Sequence, residues 1–228
     1  SLAAQAVGFS HLVTEKNNTE MQIIAVSEVM KQVLAAAKQM AQVDSSVLIS
    51  GPSGTGKELM AEYIHRNSQR SKSRMVVVNC ASIPENLLEA SLFGYEKGAF
   101  TGALSTGKTG LVETASGSTL FLDEINSLPL ELQGKLLRTL ETKKIQRVGA
   151  VNEIGVNFRL IAATNRDLQE MVRMGQFRED LYYRLNIFPI LLPDLSKRRS
   201  DIVLLAEHFI SKHNLRYGKN VKRLSTPA

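Results

Sequence analysis

The sequence predicts an α/β protein in which a parallel sheet carries helices on both faces. Short apolar runs recur along the chain, VLIS at 47–50, MVVVN at 75–79, TLFLD at 119–123, RLIAAT at 159–164 and IFPILL at 187–192. Segments of helical period separate them. Within the runs apolar residues follow one another instead of alternating with polar ones, which is the pattern of strands buried on both faces. A further observation locates the ligand. Ser50, Asn79, Asp123 and Thr164 close four of the runs, and parallel sheets bind ligands at the carboxyl ends of their strands.

Taken in order, residues 1–20, ending EKNNTE, show no period and read as a linker or the remnant of a preceding domain. The body of the fold is expected over 21–195. Its first helix is SEVMKQVLAAAKQMAQ, with Ser27 as N-cap, Glu28 in the first turn, and Met30, Val33, Leu34, Ala37, Met40 and Ala41 on one face. VLIS leads through a glycine-rich turn into the helix ELMAEYIHRN. MVVVN precedes a helix that starts near Pro84 and is interrupted by GYEKGAFTGALSTGKTG. After TLFLD come the helix LELQGKLLRTLE, a second insertion KKIQRVGAVNEIGVN, and the run RLIAAT. From Asp201 the segment IVLLAEHFISKHN begins a small second unit, so 196–228 is expected to stand apart from the body.

With 228 residues and 43% hydrophobic content the chain can bury a real core, enough for about one domain. It shows neither a charged start followed by an apolar run nor an apolar stretch long enough to span a bilayer, so a cytoplasmic protein without a membrane segment is expected. Cys80 is the single cysteine, which excludes an internal disulfide framework and a cysteine zinc site and suits a small core residue. The net charge of +6 gathers in Lys143, Lys144 and Arg147, in Lys197 to Arg199, and in the tail after Arg216. A nucleic-acid partner and a self-assembling polyphosphate binder would both show this pattern.

GPSGTGK follows the strand VLIS directly and opens a helix, the context that makes a G-x-x-x-x-G-K match a phosphate-binding loop. Gly51, Pro52, Ser53, Gly54, Thr55, Gly56 and Lys57 form it. Glycines let backbone N–H groups converge on a β-phosphate at a helix N-terminus, and Lys57 adds a charge for the β and γ oxygens. Glu58 stands where a hydroxyl that holds Mg²⁺ is usual, so Thr55 or water would take that part. About seventy residues on, TLFLDE ends in Asp123 and Glu124. A carboxylate at a strand end can hold Mg²⁺ through water, and the next can polarise an attacking water. Glu124 points to a hydrolase rather than a kinase.

GPSGTGKE, ENLLEASLFGYEKGAFTGA, GSTLFLDEI, RLIAATNRDL and GQFREDLYYRLNIFPILLP occur in this order. Together they resemble the AAA+ domain of bacterial sigma-54-dependent transcriptional activators, over about Ile23 to His213. The resemblance implies an AAA+ P-loop NTPase with a parallel five-stranded sheet sandwiched by helices and the start of a truncated helical lid. It implies ATP and Mg²⁺ as ligands, and self-association into a ring, usually a hexamer. Hydrolysis in such a ring remodels the closed complex of sigma-54 and RNA polymerase so that the DNA can open. DNA would be reached through a C-terminal helix-turn-helix domain absent from this chain.

Residue by residue, the resemblance makes Gly51 to Glu58 the Walker A element and Asp123 with Glu124 the Walker B pair. Asn79 matches an asparagine that restrains the catalytic glutamate, and Thr164 with Asn165 the sensor I position. Arg178 and Arg184 match arginines that reach a neighbouring subunit's site; on the residues alone, a surface charge paired with Glu179 or Asp180 is an equal reading. Gly98, Ala99, Phe100, Thr101, Gly102 and Ala103 form the hexapeptide GAFTGA, which resembles a pore-facing loop that touches sigma-54. Phe100 and Thr101 would make the contact, with Lys97 nearby, although a lone phenylalanine could also fold into its own core. The second insertion resembles a second pore loop. Ala25, Ala90 and Tyr95 depart from the family pattern. Ala25 is expected to alter how its segment meets adenine, and the other two to be tolerated. The chain ends before the family's G-N-V-R-E-L segment, which carries the sensor II arginine.

Overall fold

The computed structural model describes residues 23–99 and 106–221. The reading of 1–20 as a linker lies outside them, as do Phe100, Thr101, Gly102 and Ala103. The elements begin with α1 (Glu28–Ala41), β1 (Val47–Ser50), α2 (Lys57–Arg66), β2 (Val76–Asn79) and α3 (Glu85–Phe93). A two-stranded pair β3 (Gly94–Tyr95) and β4 (Lys108–Thr109) follows, then the short helix α4 (Leu111–Thr114), β5 (Thr119–Asp123), a 3₁₀ turn at Ile125–Ser127 and α5 (Leu130–Thr142). The hairpin β6 (Lys144–Gln146) and β7 (Glu153–Gly155) precedes β8 (Arg159–Thr164), α6 (Leu168–Arg173), α7 (Glu179–Leu185), β9 (Phe188–Leu191), a second 3₁₀ turn at Leu195–Lys197 and α8 (Ser200–Tyr217).

The five runs predicted as strands form one parallel sheet in the order β2-β5-β8-β1-β9. Strand side chains point alternately to opposite faces, and here each face has its own core. Val47, Ile49, Phe121, Ile161, Ala163 and Ile190 pack with Met30, Ala37 and Ala41 of α1 and Met60, Ala61 and Ile64 of α2. Leu48, Leu120, Leu122, Leu160 and Ala162 turn the other way, onto Leu88 and Leu92 of α3, Leu136 and Leu140 of α5 and Leu181 of α7. The three inner strands β5, β8 and β1 are therefore apolar through their middles, as the unbroken runs implied.

The edge strands depart from that expectation. Val77 in β2 and Leu191 in β9 are 47% and 69% exposed, because an edge strand has only one covered face. Pro189 sits in β9, and an edge tolerates a residue that cannot donate to a ladder. Ser27 caps α1 as predicted, its side chain accepting the Met30 N–H. At the other end of α1 the buried Arg159 donates to the carbonyls of Met40 and Ala41, both at 2.8 Å. No helix among the described residues is long and apolar enough to cross a membrane.

Candidate functional site

The strand order sets the site. β8 lies between β1, which feeds the phosphate-binding loop, and β5, which ends in the two carboxylates. Ser50 pairs with Thr164, and Asn79 with Asp123. With neighbouring strands about 4.8 Å apart, the ends of β1 and β5 stand roughly 10 Å apart with Thr164 between them. The four polar strand ends singled out in the sequence thus share one edge of the sheet.

In the loop, Gly51 must be glycine, because a Cβ there would come within 2.7 Å of the Leu192 carbonyl. Gly54 and Gly56 both have positive φ, and Gly56 is the N-cap of α2. The N-terminus of α2 therefore faces the loop, and a helix N-terminus favours an anion. Lys57 is only 8% exposed, and its Nζ donates to the carbonyls of Gly51 and Pro52 at 2.9 and 3.0 Å. The ammonium is folded back on its own loop. Thr55 is also buried, and its hydroxyl donates to the Pro52 carbonyl at 2.8 Å. Glu58 is exposed in the first turn of α2.

Asp123 ends β5 and accepts the Glu124 N–H at 2.9 Å. Glu124 then adopts φ 51°, a left-handed conformation that costs a non-glycine residue about 1 kcal/mol or more. Thr164 is 1% exposed; its hydroxyl lies 2.9 Å from Asn126 Oδ1 and accepts the Arg166 N–H at 3.0 Å. Asn126 sits in the 3₁₀ turn that follows Glu124, so it ties the end of β8 to the acidic turn. Sequence reasoning missed it, although its place two residues after the acid pair was the available signal. Asn79 uses its side-chain oxygen on the N–H groups of Ala81 and Ser82, both at 3.0 Å, and makes no hydrogen bond to Glu124 among the described residues. Cys80 is buried behind these acids; burial, and then the charges of Asp123 and Glu124, push its thiol up to about 12. It is a core residue and no nucleophile.

Arg178 and Arg184 lie on the surface around α7, apart from the acid pair. Arg178 forks onto the Asp180 carboxylate at 3.1 and 2.7 Å, the pairing considered from the sequence. That bond raises its pKa and lowers that of Asp180. The backbone of Arg178 is anchored by Gln133, a fully buried amide that accepts its N–H at 2.8 Å and donates to the Leu128 and Gln176 carbonyls. A lone glutamine inside an amphipathic helix gave no sequence signal for this role. Arg184 Nη2 donates to the Leu140 carbonyl at 3.4 Å, and Asn165 is exposed beyond β8.

The GAFTGA insertion grows from β3 and β4, whose backbones approach so closely that a Cβ on Gly94 would meet the Lys108 carbonyl at 2.5 Å and one on Gly110 the Phe93 carbonyl carbon at 2.4 Å. Gly98 and Ala99 continue as a turn closed by Ala99 N–H donating to Glu96 O at 3.2 Å. The second insertion is the β6–β7 hairpin, and it lies against the first: Glu96 N–H donates to Val148 O at 3.0 Å and Val148 N–H to Gly94 O at 2.9 Å. Arg147 bridges both, reaching Glu96 at 3.1 Å and Glu113 at 2.9 Å. Lys144 is paired to Glu153 at 3.0 Å, so two of the three cations of this basic cluster make intramolecular ion pairs, while Lys143 lies over the Phe158 ring with its Nζ 5.7 Å from the centroid.

A phosphate-binding loop on one strand, an acidic strand end two places away and a polar strand end between them define an AAA+ P-loop NTPase domain. Solved structures agree: NtrX from Brucella abortus with ADP matches 99% of this chain and 48% of its own at a TM-score of 0.85 and 34% identity, and its ATP complex matches with a TM-score of 0.79 over 94% of this chain and 47% of that one. The family model described as the sigma-54 interaction domain matches residues 23–191. The chain therefore belongs to the sigma-54 interaction domain family of bacterial transcriptional activators. It is 54% identical over 190 residues to the regulatory protein AtoC of Escherichia coli, covering 83% of this chain and 41% of that protein. It is 52% identical over 206 residues to the nitrogen fixation protein AnfA of Azotobacter vinelandii, covering 90% of this chain and 38% of the relative. The chain spans less than half the length of these curated relatives.

Proposed function

We propose that the chain is a ring-forming, Mg²⁺-dependent ATPase that uses hydrolysis to remodel the closed complex of sigma-54 and RNA polymerase, with six copies in the ring. The observation that carries this reading is the shared sheet edge, where the Lys57 loop, Thr164 and the Asp123–Glu124 turn converge. On ATP binding, Lys57 exchanges the Gly51 and Pro52 carbonyls for β and γ oxygens, while the loop N–H groups hold the phosphates. Glu124 polarises the attacking water, Thr164 and Asn165 sense the γ-phosphate, and Asn79 holds Glu124 back in one nucleotide state. Arg178 and Arg184 act on a neighbour's site, where a guanidinium stabilises charge on the transferring phosphoryl group.

The donor set fits magnesium. No group of three or more His, Cys, Asp or Glu that could hold a metal stands among the described residues, whereas magnesium needs one or two carboxylates, waters and phosphates. Asp123 would hold it through water, with Thr55 kept inside the loop by its bond to Pro52. The ion supplies charge to the phosphate oxygens. Contact with sigma-54 is assigned to GAFTGA, with Phe100 and Thr101 at its centre, and DNA binding to a C-terminal helix-turn-helix outside this chain.

Two substitutions test the reading. Glu124→Gln should retain ATP binding and lose at least about a hundredfold in turnover, the usual scale for removing a general base. Turnover unchanged by that substitution would refute the assignment. Thr101→Ala should keep hydrolysis and lose sigma-54 capture in the presence of a transition-state analogue of ATP, and undiminished capture would remove the loop from the interface.

A further inference from the structure

The longest helix among the described residues is attached to the body through a carboxylate. Of the 18 residues in α8, Asp201 alone is buried. It is 0% exposed, whereas the apolar residues beside it, Ile202, Val203 and Leu204, are all at least 37% exposed. Asp201 accepts the Val26 N–H at 2.7 Å, the Ser27 N–H at 2.8 Å and the Ser27 hydroxyl at 2.8 Å. Those residues lead into α1, so the carboxylate also lies at a helix N-terminus, where negative charge is favoured.

Three positions earlier, Arg198 reaches a different part of the body. It is 8% exposed, and its Nη2 donates to the Thr55 carbonyl, in the phosphate-binding loop, at 3.0 Å. Its Nε is buried without a hydrogen-bond partner among the described residues. Leaving a buried donor unpaired costs free energy, so the guanidinium is placed by its grip on that carbonyl rather than by the best use of all its donors.

A trans peptide is planar, and its C=O and N–H point in opposite directions. With the Thr55 carbonyl fixed on Arg198, the N–H of Gly56 in the same peptide is turned away from the guanidinium. Gly56 is the N-cap of α2, and its N–H is one of those that meet phosphate in the proposed function. We infer that Arg198 is a positioning residue for phosphate binding: by holding the Thr55 carbonyl it aims the Gly56 N–H at the β-phosphate, and it links that aim to the root of α8. This rests on the nucleotide-binding reading above.

Two physical effects act together. A cation on the carbonyl polarises the peptide and strengthens the donor at its other end. The coupling is also reciprocal, so a phosphate that fixes the Gly56 N–H steadies Arg198 and, through the neighbouring Asp201 clasp, the direction of α8.

The test uses the 228-residue chain, with AMP and ADP competing against a fluorescent ADP. The ratio of AMP to ADP dissociation constants isolates the β-phosphate. In Arg198→Gln this ratio should fall about tenfold, the scale of one charge-assisted hydrogen bond, and Arg198→Lys, which keeps the charge and a donor, should recover at least half of that loss on a logarithmic scale. An unchanged ratio in the glutamine variant overturns the inference. Equal weakening of AMP and ADP, or loss of the cooperative thermal transition, also overturns it by giving Arg198 a purely structural role, as does a lysine variant no better than glutamine. Failure of the unaltered chain to bind ADP refutes the proposed function instead.

Discussion

His65 and Arg159 bring titratable groups into the interior far from the site, and each answers to its hydrogen bonds. The His65 ring is 3% exposed, with Nε2 2.8 Å from the Ser73 carbonyl and Nδ1 2.9 Å from the Thr119 hydroxyl. A carbonyl can only accept, so Nε2 carries the proton and Nδ1 accepts from Thr119. Burial lowers the ring's pKa below the ordinary 6.5, against the opposing pull of Ser73 and Glu62. Between pH 6.5 and the folded value the unfolded chain therefore binds the extra proton and the folded chain does not. The contribution of His65 to stability is complete above pH 6.5 and is lost as the pH falls through the folded pKa. Melting temperature should drop between pH 7 and pH 5, and His65→Gln, which does not titrate, should reduce that slope. Arg159 is a stronger case, since burial lowers its pKa while the charge of Asp44 raises it, and its head is satisfied by the carbonyls that end α1. Arg159→Met keeps the bulk and strands those carbonyls, at a cost of about 3 kcal/mol. Urea unfolding should show this as a lower midpoint with an unchanged slope.

Elements matter most where the two insertions meet. Each was legible in the sequence as an interruption, but their contact was not, because it depends on a parallel bridge between Tyr95 and Val148 and on one arginine shared by two glutamates. A Cβ on Gly149 would come within 3.2 Å of the Ala99 Cα, so the hairpin touches the start of GAFTGA itself. The bond to Glu113 raises the pKa of Arg147, and both groups are largely covered, 21% and 23% exposed. The pair is therefore stiffer than an open surface bridge, which contributes about 0–1 kcal/mol. A hairpin clamped in this way should move the GAFTGA loop with it. Arg147→Ala should leave ADP affinity within about twofold while weakening nucleotide-dependent sigma-54 capture about tenfold, a scale of 1.4 kcal/mol. Titration of purified sigma-54 on a native gel measures it, and equal capture by both proteins would show that the hairpin does not carry the loop.

At the scale of the whole molecule, legibility followed sequence distance. The strands are local patterns and fall where the residues implied, with the glycine-rich loop after β1 and the acid pair at the end of β5. The insertion of β8 between β1 and β5, the bond of Asn126 to Thr164, and the link of Asp201 to Ser27 across 174 positions are long-range pairings that periodicity cannot express. The arginines pose the remaining question of scale. Arg178 and Arg184 are exposed, and neither bonds to Asp123, Glu124 or the phosphate-binding loop among the described residues. If they act on a neighbour, the interface is head-to-tail, and each active site is made from two different copies. Turnover per chain should then rise with protein concentration. A mixture gives the sharper test: Lys57→Ala lacks a working site but offers intact arginines, and Arg184→Ala has an intact phosphate-binding loop but offers a defective arginine. Each alone should be nearly inactive. Mixed in equal amounts, random assembly pairs an intact loop with an intact arginine at about one interface in four, so roughly a quarter of wild-type turnover should return. Activity that stays at the level of the separate variants would mean that Arg184 serves its own subunit, and ring assembly would then have to control hydrolysis by another route.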